Sequence, residues 1–461
     1  MDNDVRPRLD HILDAGGLGR GQVAVVLLCA LVAMADGFDT QSIALVAPDI
    51  AAEWGIATAS FGVVFGIGLF GGLVGAIFFG FTGDRYGRKP TLLVAMAVFA
   101  GCSLLTPLAT SLTALGVLRL VTGFGLGGAL PCVIAITAEC TPARMRATVV
   151  GLMFCGFPLG AVAGGLASAR LIPAFGWGSV FLVGGVVPIL LVPLLGARLP
   201  ESARFVAVKG DDDALRAVLR RLGIDGVVEP EPEETRSSVT RLFTEGRAGG
   251  TLLLWATLFL SLLLTYLLTN WIPLLARQSG IDAASAIFGV VALNLGAVVG
   301  CLVIGRLADR SRPTVVIGSA FALGAVAIAA IGHAGGSAGT LLVAAFLAGS
   351  LSVGAQMCTV ALCAGFYETS VRATGIGWAV GIGRIGGIAG PLLGGLLVTL
   401  GVGTPELFLV TGSTSLGAAL AVFALARFLA RTHRKAVPHE YSAGKGQSRG
   451  RPLQQSLHRG L

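Results

Sequence analysis

Residues 80–90, GFTGDRYGRKP, return in degenerate form 225 positions later as residues 305–313, GRLADRSRP. In each copy a glycine precedes an Asp-Arg pair by four residues and a proline closes the run. The first holds Gly80, Asp84, Arg85, Gly87, Arg88 and Pro90; the second holds Gly305, Asp309, Arg310, Arg312 and Pro313. A second pair, Arg146-Ala147-Thr148 and Arg372-Ala373-Thr374, is offset by 226, and at that offset Gly151, Gly160 and Gly164 meet Gly377, Gly386 and Gly390. Independent segments sharing one offset make the chain a duplicated unit. Between the copies, residues 198–250 carry Asp211-Asp212-Asp213 and the Pro/Glu run Glu229 to Glu234, the composition of a connector.

Each unit is apolar. Hydrophobic residues fill 54% of the chain, mean hydropathy is +0.83 and 13% of residues are charged, against about 25% in a soluble protein. Windows of about 20 apolar residues fall near 22–48, 60–82, 91–109, 112–138, 147–169, 177–197, 251–273, 285–305, 314–333, 339–364, 374–400 and 407–426. The reading is an all-α membrane protein: twelve transmembrane helices in two pseudo-symmetric six-helix bundles. Its segments are 1–21, a bundle over 22–198, a loop over 199–250, a bundle over 251–430 and a basic tail over 431–461.

With the N-terminus inside, the outer loops hold only Arg170 and Arg277, and Arg119 and Arg384 lie within spans. Every other Lys and Arg is then on the cytoplasmic side, as the positive-inside tendency expects, so both termini are cytoplasmic in a cell inner membrane. The net charge of +8 and pI near 9.3 follow from that topology and from anionic lipid headgroups, with no nucleic acid required. Ala33-Met34-Ala35 imitates a signal-peptidase site, but the apolar run continues past Asp39, so the first helix is read as uncleaved. The eight cysteines lack a CxxC pattern and the histidines lie in the tails or, for His333, at an outer helix end, so no metal site or cofactor is expected. The pair Gly444-Lys445 lacks the Ser or Thr of a phosphate loop, so no nucleotide is hydrolysed.

Four charges lie well inside spans: Asp36, Asp39, Arg119 and Arg384. A charge at the bilayer centre costs at least about 2.5–3.5 kcal/mol, which makes each a functional candidate. Asp36 and Asp39, at i and i+3, share a helix face; one of them can carry a proton from one side to the other, or the pair can cap a break at Gly37 or bridge to an arginine. Arg119 and Arg384 each present a fork that suits a carboxylate, of a substrate or of an aspartate. Tyr266, Asn270 and Trp271 offer polar and aromatic groups for a cavity wall, Trp271 alternatively an interface anchor. Glu139 with Arg146, Glu368 with Arg372, and the loop charges Asp84, Arg85, Arg88, Asp309 and Arg310 read as gating contacts at the inner side, or as surface charges.

GDRYGRKP, its echo, the 6+6 plan and Pro200-Glu201-Ser202-x-Arg204-Phe205 resemble the major facilitator superfamily over essentially the whole chain. Within it, Asp36-Gly37-Phe38-Asp39-Thr40, Arg119, the Glu139 segment, Asn270-Trp271-Ile272-Pro273 and GRIGGIAGPLLGG over 383–395 resemble the aromatic acid:proton symporters. That resemblance implies import of small aromatic carboxylates (benzoate, hydroxybenzoate or phenylpropionate type) with protons. It implies binding or coupling roles for Asp36, Asp39, Arg119 and Arg384, and conformational roles for Gly80, Asp84, Gly87, Glu139, Asp309 and Arg372. The second loop lacks the full basic ending, and the basic tail is not part of the family pattern. Rival readings are a facilitator that exports, or imports, another organic anion or metabolite, and a non-transporting membrane receptor. No nucleophile–base pair for an enzyme is found.

Overall fold

The structure, a computed structural model, describes residues 17–224, 239–244 and 246–436. Residues 1–16, the Glu229–Glu234 run and the tail from 437, with the Gly444-Lys445 pair, lie outside the described residues. Twelve helices are long and apolar enough to cross a membrane: Arg20–Trp54, Thr58–Tyr86, Arg88–Leu108, Leu112–Glu139, Arg144–Phe175, Gly178–Arg198, Ala248–Gln278, Ala283–Arg310, Pro313–Gly332, Ala338–Phe366, Thr374–Thr399 and Thr404–Arg431. They are called spans 1 to 12. No strand occurs among the described residues.

Hydrocarbon offers no partner for a backbone N–H or C=O, so each long apolar run closes its own bonds as a helix. Polar caps mark the ends: the Ser111 hydroxyl accepts from Ala114 N at 3.2 Å and the Asp282 carboxylate from Ser285 N at 2.9 Å. Span 5 is broken at Cys155 into Ala143–Phe154 and Gly156–Phe175, and span 10 contains a π turn at Gly349–Val353.

The connector is partly folded. Ala203–Lys209 and Asp212–Leu222 are helices, the second with Leu215, Val218, Leu219 and Leu222 buried on one face. Asp211 caps it, Asp212 and Asp213 lie in its first turn, and Arg220 and Arg221 lie in its last, each sign matching the helix dipole. The acidic triplet is therefore a helix start. It docks against the beginning of span 1, where a Cβ on Gly21 would lie 2.4 Å from the Arg221 carbonyl oxygen.

The duplication has a packing cause. A Cβ on Gly160 of span 5 would lie 1.9 Å from the carbonyl oxygen of Met34 in span 1, and one on Gly386 of span 11 would lie 2.1 Å from that of Phe259 in span 7. Gly75 against Phe124 and Gly300 against Ser350, each at 1.9 Å, relate spans 2 and 4 to spans 8 and 10 in the same way. Backbones meet at the same places in both halves, and only glycine allows the approach. Gly151 and Gly377, repeated as faithfully, would meet nothing within 4 Å.

The halves share one core at the membrane face opposite the described termini. There Ile43, Leu45, Phe61 and Phe65 of the first half join Leu263, Trp271, Ile287 and Leu293 of the second in a single cluster. Toward the face that carries the termini the cores separate, one in the first half and two in the second. The opposite face is therefore sealed by apolar packing between the halves.

Gly160→Ala and Gly386→Ala should each destabilise the protein by about 1–3 kcal/mol or more through overpacking, whereas Gly151→Ala and Gly377→Ala should leave melting in detergent near wild type. Thermal melts of the four variants check this; equal losses at all four would remove close packing as the reason for the repeat.

Candidate functional site

Asp36 and Asp39 share a helix but meet different surroundings. Asp39, fully enclosed, accepts from the Ser103 hydroxyl at 2.6 Å and from Arg119 Nη1 at 3.2 Å. Arg119 spends Nη2 on the hydroxyls of Thr106 at 2.9 Å and Thr122 at 3.2 Å, and its guanidinium lies 4.7 Å from the Phe181 ring centroid. Spans 1, 3, 4 and 6 thus enclose one paired charge with a ring of hydroxyls. Of the openings the sequence left for Arg119, the structure realises the aspartate partner.

Asp36 is 2% exposed. Its Oδ1 accepts from the Thr40 hydroxyl at 2.9 Å, while its Oδ2 is buried without a hydrogen-bond partner. The cation within electrostatic reach of Asp36 is Arg384, from the other half. Arg384 is half-buried and reaches across the seam to donate from Nη1 to the carbonyl oxygen of Gly72 in span 2, at 3.1 Å. Tyr266 lies within electrostatic reach of both Arg384 and Asp36, and its ring packs where a Cβ on Gly387 would come within 2.8 Å. One carboxyl, one guanidinium and one phenol, drawn from spans 1, 11 and 7, therefore converge between the halves.

Two residues expected at a cavity wall are placed otherwise. Trp271 is fully enclosed: its Nε1 donates to the Pro391 carbonyl at 3.2 Å and its ring meets Phe65 edge-on at 6.2 Å. It is packing between spans 7, 11 and 2, because Gly394 leaves room for the indole, and neither a cavity wall nor an interface anchor. Asn270, 4% exposed, gives its amide hydrogen to the Tyr266 carbonyl at 2.7 Å.

The charged loop residues cluster at the face carrying the termini. Asp84 pairs with Arg88 at 2.6 Å, and Arg85 lies 5.5 Å from the Tyr86 ring. Glu201 accepts from the backbone N–H groups of Arg88 at 2.8 Å and Lys89 at 3.1 Å, capping span 3, and Gly87, at φ 112°, leaves space for that carboxylate. Ser202 donates to Glu139, with Arg88 and Arg204 nearby. In the second half Glu368 pairs with Arg247 at 3.1 Å, and Arg372 donates to the Tyr367 carbonyl at 3.2 Å. The expected Glu368–Arg372 match is thereby corrected: Arg247, at the start of span 7, takes the carboxylate. Gly80 and Arg146 are half-buried near the ends of spans 2 and 5, and Asp309 and Arg310 are exposed.

Three contacts across the seam were not singled out in the sequence. Gln41 and Asn294 exchange two hydrogen bonds, at 3.0 and 2.9 Å; Arg277 pairs with Asp49 at 2.9 Å; and Gln278 donates to Thr58 at 2.9 Å. An amide inside a span is the signal that would have found the first. Among the described residues no group of three His, Cys, Asp or Glu could hold a metal ion.

Removing one partner of a buried ion pair costs about 3–5 kcal/mol, because the other is left uncompensated. Arg119→Leu should therefore lose most of the stability it can lose in detergent melts, and Asp39→Leu added to it should restore much of the loss. Arg384→Leu breaks a bond to a backbone carbonyl and removes the cation near Asp36, which can then hold a proton, so it should melt closer to wild type than Arg119→Leu.

The family model described as Major Facilitator Superfamily matches residues 29–365 and 254–455. The "Gallate transporter" of Pseudomonas putida is 40% identical over 412 residues, covering 87% of this chain and 91% of that protein. The "4-hydroxybenzoate transporter PcaK" of Pseudomonas putida is 40% identical over 410 residues, with 87% and 92% covered. Among solved structures, the xylose transporter XylE from E. coli, in a partially occluded inward open conformation, superposes with a TM-score of 0.70 at 16% identity, covering 88% of this chain and 98% of that one. With twelve apolar spans in two glycine-matched halves and a family match over most of its length, the chain belongs to the Major Facilitator Superfamily and is a multi-pass membrane transporter.

Proposed function

We propose that this protein imports small aromatic carboxylates together with protons across the cell inner membrane. The observation that carries this reading is the convergence of Arg384, Asp36 and Tyr266 between the halves, with Asp39 and Arg119 already satisfied by each other. Two relatives at 40% identity bear the names of transporters of gallate and 4-hydroxybenzoate, both aromatic carboxylates, and this supports the substrate class.

The arrangement supports a division of labour. Arg384 takes the substrate carboxylate in place of the Gly72 carbonyl, and the Tyr266 ring and hydroxyl lie beside it. Releasing Gly72 removes the side-chain hydrogen bond from Arg384 to span 2, so loading the site weakens that seam at its polar end while Gly62 and Gly66 stay packed against Pro391 and Leu392. Asp36, with an oxygen lacking a partner, exchanges the proton. Asp39 keeps Arg119 and the hydroxyls of spans 3 and 4 in register with span 1. The bundles over 22–198 and 251–430 move as two bodies around this site, joined by the 199–250 connector. The loop charges around Glu139 and Glu201, and those around Glu368, hold each bundle at the cytoplasmic side, where both termini lie.

Protons also supply the driving force. An anion entering a negative-inside cell works against about 2.3 kcal/mol per charge at 100 mV, and each co-transported proton offsets one such term.

The test is uptake of a labelled aromatic-acid panel into cells expressing the chain, with and without a protonophore. Accumulation should collapse with the protonophore, and in Asp36→Asn should fall to the level of cells lacking the protein. Proton-independent accumulation, or active efflux of the same acids, would contradict the reading.

A further inference from the structure

The pair formed by Gln41 of span 1 and Asn294 of span 8 differs from the other contacts across the seam. Both side chains are buried, 4% and 6% exposed. Gln41 Nε2 donates to Asn294 Oδ1 at 3.0 Å, Asn294 Nδ2 donates back to Gln41 Oε1 at 2.9 Å, and Asn294 Nδ2 also donates to the Val290 carbonyl at 2.9 Å. Gln41 directly follows Thr40, whose hydroxyl is bonded to Asp36. Along span 1 the amide stands about 7.5 Å from Asp36 toward the opposite face, at about 1.5 Å per residue. Asp49–Arg277 and Thr58–Gln278 lie farther out in the same direction and are more exposed. Around the amides the seam is tight and apolar: a Cβ on Gly165 would lie 2.3 Å from Val291 Cγ2, and Ile287 is beside it.

A reciprocal amide pair in such a seam has two stable conditions. With the halves apposed both bonds are made; with the seam open and wet, water serves both amides. A partly parted, dry seam leaves a donor and an acceptor on each side chain without partners, the condition most strongly penalised in an apolar setting. An apolar contact alone would weaken gradually as the halves separate.

We propose that Gln41 and Asn294 are positioning residues of the transport cycle, whose reciprocal amide pair is the innermost layer of the opposite-face seal and makes that seal close as a two-state element beside the carboxyl site. This rests on the transport reading above for its purpose, and on the geometry alone for its physics.

The test uses the full chain in lipid nanodiscs without substrate, with spin labels on Ala57→Cys and Ser279→Cys, exposed positions just beyond spans 1 and 7. The native cysteines are buried or half-buried. Gln41→Leu and Asn294→Leu, each leaving one buried amide without its partner, should raise the ratio of long-distance to short-distance populations by about tenfold. The double variant should return toward wild type, since neither amide then remains to be hydrated. Wild-type distances in both single variants, or a double variant that opens as far as the two singles combined, would overturn the proposal. The distances are read without substrate, so variants that show this response, together with wild-type protein that takes up no aromatic acid, would remove only the substrate reading.

Discussion

Hydrocarbon supplies no hydrogen bonds, so every charge and amide placed in a span has to be answered by another group of the chain. The interior of this protein is organised by how that demand is met. Asp39 and Arg119 meet it for the most part, through each other and through Ser103, Thr106 and Thr122, while Arg119 Nε is buried without a partner. Asp36 and Arg384 meet it in part: one carboxyl oxygen lacks a donor, and the guanidinium borrows a backbone carbonyl from the other half. The Asp39–Arg119 pair ties spans 1, 3 and 4 together, and in the proposed cycle Asp36 and Arg384 serve the proton and the ligand.

The same constraint sets the relation between the halves. Glycines let helix backbones approach inside each bundle, at Gly160 and Gly386 and at Gly75 and Gly300. Between the bundles an apolar core at the opposite face and a few exchangeable polar bonds accompany one close backbone approach, where a Cβ on Gly62 of span 2 would lie 2.9 Å from the Pro391 carbonyl oxygen of span 11. Rigid bodies with a breakable seam are what a protein needs if it is to rock about a central site.

Much of this was legible in the sequence because membrane spans and repeats leave long-range signals. Twelve apolar runs and the 225-residue offset follow from lipid thickness and from backbone packing, both of which act on residue type at fixed spacing. Asp36 and Arg384 stood out because a charge in a span is rare. What the sequence left open was pairing. Asp36 and Asp39 look equivalent at i and i+3, and only the approach of Arg119 and Ser103 from spans 4 and 3 separates them. Trp271 reads as a cavity or interface residue until Gly394 is seen to make room for it, and Glu368 finds Arg247 through a fold contact that local spacing to Arg372 does not reveal. Gln41 and Asn294 lie 253 positions apart and carry no charge, so no local pattern joins them.

The central claim is that Arg384 holds the carboxylate of the cargo. Calorimetric binding of 4-hydroxybenzoate and of its neutral amide analogue to the purified protein in nanodiscs tests this most directly. The acid should bind wild type about ten- to a hundredfold more tightly than the amide, the worth of one charge-assisted hydrogen bond, and Arg384→Gln should erase that difference while leaving amide binding unchanged. An Arg384→Gln variant that still prefers the acid by the wild-type margin would contradict the account.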